Sequence, residues 1–184
     1  MKPPIHAPTG PAIDRLCRLA AVGADPAAAA LGRLLDAEVA PGAARVLGPG
    51  DNAGFPGRFT TIGFAASGDL GGLVAIALEE RVVEFAVAQM VGRTRPGREM
   101  PGSALREFGN IIASQTVTAI ADSLGARIML SVPRLVMSEG GEELGRRIHG
   151  RGAPLHVETQ LLDPRGALLA LLVIAPDPQS NGGL

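Results

Sequence analysis

The sequence predicts a mixed α+β domain: a mostly antiparallel sheet packed with long helices, built by pseudo-twofold duplication of a helix–strand–hairpin unit. Three observations carry this. Two long segments place apolar residues at helical spacing, around Leu16, Leu19 and Ala20 and around Leu105, Phe108 and Ile112. Strand-like runs bounded by turn residues follow each of them. An offset of 89 pairs Ala30, Leu35, Ala37 and Arg45 with Ala119, Leu124, Ala126 and Arg134, and the order of elements repeats with it.

Taken in order, residues 1–12 are proline-rich and read as a flexible lead-in. A helix is expected from Ile13. Asp25-Pro26 has the form of a cap followed by proline at a first helical position, so the stretch to Leu35 is either one kinked helix or two. Glu38 to Leu47 reads as a strand interrupted at Pro41-Gly42, and Gly48 to Gly57 as a loop. Arg58 to Ala65 and Leu73 to Leu78 form a hairpin turning at Ser67-Gly68-Asp69, and Glu79 to Val91 an amphipathic helix. A second loop runs from Gly92 to Gly102. Ser103 to Leu124 is the longest expected helix, with Ser103 as its N-cap. Arg127 to Ser138 reads as a strand in which Pro133 implies a bulge or an edge. Glu139 to Gly152 is expected as loop with a helical turn. Leu155 to Leu162 alternates as a strand should, Asp163 to Gly166 is a turn, and Ala167 to Ala175 is apolar enough for a buried strand. The domain is thus expected over 13–176, with repeats at about 13–92 and 102–176 and a disordered tail at 177–184.

Composition narrows the function classes. In 184 residues, 17 basic side chains against 18 acidic ones leave a net charge of −1, so the electrostatic basis for nonspecific nucleic-acid binding is missing. The absence of Trp and Tyr removes stacking platforms for single strands. Cys17 is alone, and His6, His149 and His156 stand at no metal-binding spacing. The longest apolar run, Ala167 to Ala175, is far below the ~20 residues of a membrane helix. No apolar segment follows the first residues as a secretory signal would, so a cytoplasmic setting is expected. Phosphate-binding loops, nucleophile elbows and zinc-protease motifs are absent from the sequence.

The chemistry-bearing residues lie on the longest helix. At 100° per residue, Ser103, Glu107, Asn110, Ser114 and Thr118 share one stripe, while Leu105, Phe108, Ile112, Ala119 and Ile120 take the opposite side. Solubility alone accounts for a polar stripe on a helix that packs by one face. An asparagine in a helix interior costs only about 0.6 kcal/mol relative to alanine, so Asn110 is mildly out of place and no more.

The combination is more specific than its parts. Ser103, Glu107 three residues beyond the next position, Asn110 and, after twenty-two residues, Pro133 form a spacing that resembles the CheC/CheX/FliY family, phosphatases of phosphorylated response regulators in bacterial chemotaxis. The segments Glu107-Phe108-Gly109-Asn110-Ile111 and Ser131-Val132-Pro133 are similar to the family's, as is Gly71 to Val74 leading into the helix that ends at Gly92. The resemblance implies a CheC-like fold and an enzyme that hydrolyses the aspartyl phosphate of a CheY-type response regulator. Asn110 would orient the attacking water in trans and Glu107 would pair with the regulator's active-site lysine, with Ser103 and Pro133 supporting the motif. It implies no cofactor of the chain's own, the Mg²⁺ being supplied by the regulator. A CheD-type regulator and a second copy of the chain are further partners it admits, since one-motif CheX pairs as a homodimer.

The family's two-site members carry the motif in both copies. Here the offset of 89 returns Ser103, Glu107, Asn110 and Pro133 onto Asp14, Arg18, Ala21 and Ala44, so one active face is expected and the first copy is scaffold. The competing reading is a non-catalytic CheC-like binding or flagellar-switch module that docks on a regulator without hydrolysis. A small-molecule enzyme would need a deep polar pocket with convergent titratable groups, which no motif suggests.

Overall fold

A computed structural model describes residues 10–51, 57–91 and 100–178. The first nine residues of the expected lead-in, most of the tail, and parts of the two loops at 48–57 and 92–102 lie outside the described residues. The described chain forms α1 (Pro11–Leu35), β1 (Ala40–Leu47), β2 (Arg58–Gly68), β3 (Gly72–Leu78), α2 (Glu80–Val91), α3 (Met100–Leu124), β4 (Ile128–Leu130), β5 (Arg134–Gly140), α4 (Gly141–His149), β6 (His156–Leu162) and β7 (Leu168–Pro176).

The duplication is visible in the topology. The helices α1 and α3 begin at residues 11 and 100 and end at 35 and 124, an offset of 89 at both ends. The sheet runs β1-β6-β7-β3-β2-β4, with β5 continuing the β4 edge on β2, and every pairing is antiparallel. Exchanging β1 with β4 and β5, β2 with β6, and β3 with β7 leaves that order unchanged. Each half therefore lends its first strand to the hairpin of the other, and β3 and β7 meet at the centre.

Both long helices lie on one face of the sheet. Leu16, Leu19, Ala20, Ala27 and Leu31 of α1 and Leu105, Phe108, Ile112 and Ile120 of α3 bury against Ile62, Phe64, Ile76, Leu172 and Ile174. Small residues bring the layers together: a Cβ at Gly23 would lie 2.9 Å from Thr116 Cγ2, where α1 crosses α3. The region around Asp25-Pro26 is one helix, with Pro26 inside it. The lost backbone bond is offset by burial on both sides of the proline, at Ala24, Ala27, Ala28 and Leu31.

The structure corrects four expectations. Ser103 is not the N-cap: α3 starts at Met100, which puts Ser103 in the first turn. The segment 127–138 is two strands, β4 and β5, separated at Ser131–Pro133, and both pair with β2. Pro133 cannot donate to the ladder, and both the bulge and the edge position follow. The segment 139–152 holds a nine-residue helix, α4, whose Leu144 and Ile148 cover the other face of the sheet with Phe59, Leu73, Ala75, Leu171 and Val173. The first helix also starts at Pro11, two residues before the expected Ile13. Among the described residues no helix is long and apolar enough to cross a membrane.

Candidate functional site

The site is assembled by one helix and one irregular corner. Leu105, Phe108 and Ile112 anchor the buried side of α3, and Gly109 lets the helix backbone approach β2 closely, since a Cβ there would sit 2.6 Å from Ile62 Cγ2. With that side fixed, Ser103, Arg106, Glu107 and Asn110 are exposed. Glu107 and Asn110, three residues apart, stand about 4.5 Å from each other along the axis.

Opposite them, the β4–β5 break forms the second wall. Ser131 is tied to β2 twice: its N–H donates to the Ala65 carbonyl at 2.9 Å, and its hydroxyl accepts from the Ala65 N–H at 3.0 Å. Ser103, Arg106, Glu107 and Asn110 line one open cleft of about 380 Å³ together with Leu130, Ser131, Val132 and Pro133. All four residues singled out from the sequence thus meet in one place, although Pro133 is distant in the chain.

Neither Glu107 nor Asn110 has a side-chain hydrogen bond or ion pair among the described residues. An acid and a carboxamide held on a rigid helix without internal partners are available to groups on another molecule. The carboxamide accepts through one atom and donates through the other, so it can hold a water in one orientation. The reasoning from sequence did not single out Arg106 as part of this site. Its signal was present, because it lies one turn before Asn110 on the same side of the helix.

The equivalent positions of the first copy carry no such set. Asp14, Arg18 and Ala21 are exposed on α1 and Ala44 is exposed on β1, so the place of the acid is taken by a cation and that of the amide by a methyl group. Elsewhere, two of the three histidines do meet, on the α4 side of the sheet: the His149 and His156 rings are 5.2 Å apart, and buried His156 has Nε2 3.2 Å from Glu158 Oε1. Among the described residues no group of three His, Cys, Asp or Glu side chains could hold a metal ion.

Residues 100–137, which span α3, the corner and the start of β5, match the model of the CheC-like family. No curated protein sequence matches the chain. The fold is shared with FliY of Thermotoga maritima, at a TM-score of 0.68 and 17% identity over 96% of this chain and 95% of that one. It is shared with the chemotaxis protein CheX of a Desulfovibrio desulfuricans subspecies, at 0.64 and 14% over 87% and 99%. A third similar structure is the complex of CheX with CheY, BeF3 and magnesium from Borrelia burgdorferi, at 0.61 and 20% over 85% and 96%.

Proposed function

We propose that this chain, whose residues 100–137 match the model of the CheC-like family and whose fold is that of CheX and FliY, accelerates hydrolysis of the aspartyl phosphate on a CheY-type response regulator in chemotaxis. The observation that carries the proposal is the pairing of exposed, unengaged Glu107 and Asn110 on one side of α3, facing the Ser131–Pro133 corner. A solved relative bound to CheY in the presence of BeF3 and magnesium supports the choice of partner.

An aspartyl phosphate is an acyl phosphate and already activated. Its hydrolysis needs a water in line with the phosphorus, and in phosphoryl transfer little else has to be supplied beyond positioning and charge. The Asn110 Oδ1 accepts a hydrogen bond from that water and its Nδ2 donates to the phosphoryl oxygens or to the water itself. The water oxygen bonds to phosphorus, the bond from phosphorus to the carboxylate oxygen breaks, and the products are inorganic phosphate and the free aspartate. Glu107, one turn away, pairs with the regulator's active-site lysine and fixes the register of docking, an ionic contact that gains strength as docking excludes water. A Mg²⁺ held by the regulator would neutralise phosphoryl charge there, and no residue of this chain is assigned to it.

The docking-only alternative has one observation in its favour, the motif-free face of the first copy, which keeps the fold without the acid and the amide. Phosphate release separates the two. A phosphorylated CheY-type receiver should lose phosphate at least tenfold faster with catalytic amounts of this protein than alone, a modest share of the rate effects that positioning supplies. Binding without acceleration would leave the docking module as the function.

A further inference from the structure

Single exposed apolar side chains are ordinary on a soluble protein. Val132 differs in its place and in how it is held. It is 86% exposed, more than the other exposed large apolar residues, and it sits on the rim of the cleft that contains Glu107 and Asn110. On its N-terminal side Ser131 is bound by two hydrogen bonds to Ala65 and donates its hydroxyl to the Val132 carbonyl at 3.0 Å. On its C-terminal side Pro133 has a fixed φ and restricts Val132 itself to extended conformations. The branched side chain adds a narrow choice of χ1. The corner is therefore set before any partner arrives, and it presents an apolar group to water.

We propose that Val132 is the apolar anchor that seats the phosphorylated receiver on this protein, packing against the receiver beside its phosphorylation site. The inference rests on the function proposed above and adds the element that supplies affinity. Val132 and Asn110 line the same cleft, so a partner that brings a phosphoryl group to Asn110 is brought beside Val132. The Glu107 ion pair is exposed until docking is complete and contributes little on its own. Burying a preset valine adds apolar contact without ordering any backbone, so it strengthens binding at low entropic cost. Affinity then resides in the corner and chemistry in the helix, and the two can be changed separately.

The test measures affinity for the receiver loaded with beryllofluoride and Mg²⁺, and turnover at saturating phosphorylated receiver, for wild type, Val132→Ala, Val132→Asp and Asn110→Ala. Loss of two buried carbon groups in Val132→Ala should raise Kd about tenfold, and a carboxylate at that position about a hundredfold or more. Turnover at saturation should stay within about twofold of wild type in both, whereas Asn110→Ala should show the reverse pattern of retained Kd and lost turnover. Because the side chain is exposed, unchanged melting of Val132→Asp verifies that folding is unaffected. If Val132→Asp binds within twofold of a wild type that does bind, the anchor is refuted and the proposed function stands. If wild type neither binds nor accelerates, the proposed function falls and the anchor with it.

Discussion

Replacing Gly109 by alanine should destabilise this protein, although alanine is the better helix former. In an unconstrained helix interior the change would gain about 0.8–1.0 kcal/mol. Here the new Cβ would lie 2.6, 2.8 and 2.9 Å from Cγ2, Cδ1 and Cβ of Ile62, a residue with no exposed surface. Rotating one methyl group does not relieve the clash, because the Ile62 Cβ is attached to the backbone of β2, which is paired on both sides. Either α3 lifts from the sheet or β2 bends. Overpacking of this kind costs about 1–3 kcal/mol, and three contacts below 3.0 Å place Gly109 in the upper part of that range. The net expectation is a loss of about 1–2 kcal/mol. Gly102, on the same helix, is the control: a Cβ there meets the flexible end of Arg106 at 3.4 Å and Leu135 Cδ2 at 3.7 Å, which are tolerable contacts. Gly102→Ala should be neutral or stabilising by a few tenths of a kcal/mol. Urea unfolding followed by circular dichroism at 222 nm measures both, with a shifted midpoint and an unchanged slope expected for Gly109→Ala. A Gly109→Ala variant as stable as wild type or more so would refute the close-packing argument and the rigid placement of Asn110 that depends on it.

Two further predictions concern the α4 side of the sheet. Glu139 is 4% exposed and accepts two hydrogen bonds from Arg147, at 2.9 and 2.6 Å, so Glu139→Ala should cost about 3 kcal/mol in urea unfolding by leaving the guanidinium without its partner. Replacing both residues by methionine should recover most of that loss, and a double variant as unstable as the single one would contradict the assignment. Glu143 has its carboxyl pKa lowered, first by the hydrogen bond from the Gly140 N–H and further by the charges of Arg58 and Arg146. A lowered folded-state value means that its contribution is present above the unfolded carboxylate value near 4.5 and is lost as pH falls through the folded one. Stability of Glu143→Gln should therefore fall less steeply than wild type on acidification below about pH 4.5, and parallel profiles would exclude the effect.

Much of this architecture is legible in the sequence because local and global signals agree. Apolar spacing in α1 and α3, the Asp163 to Gly166 turn and the apolar run of β7 each require the element observed. The exceptions have physical causes. One helix survives across Asp25-Pro26 because alanines on both sides of the proline are buried, which propensity cannot anticipate. The helix α4 contains only two large buried apolar residues, Leu144 and Ile148, among glycines and charges, and its partner is the far side of the sheet. The same packing buries His156 and Glu158 on what the alternation of β6 alone would mark as its polar side. At the site, Glu107 and Asn110 could be placed on one stripe by counting residues, and Pro133 was tied to them through the family's spacing. The exposure of Val132 could not be read, because it depends on a bulge held by hydrogen bonds to Ala65, sixty-six residues away from Ser131.

In the proposed function a single carboxamide, that of Asn110, completes another protein's active site. The most direct test is single-turnover phosphate release from a phosphorylated CheY-type receiver with saturating Asn110→Ala, alongside binding of that variant to the beryllofluoride-loaded receiver. Kd should stay within about threefold of wild type and the dephosphorylation rate should fall to that of the receiver alone, the pattern of an interaction made only in the transition state. An Asn110→Ala variant that accelerates release as wild type does would contradict it.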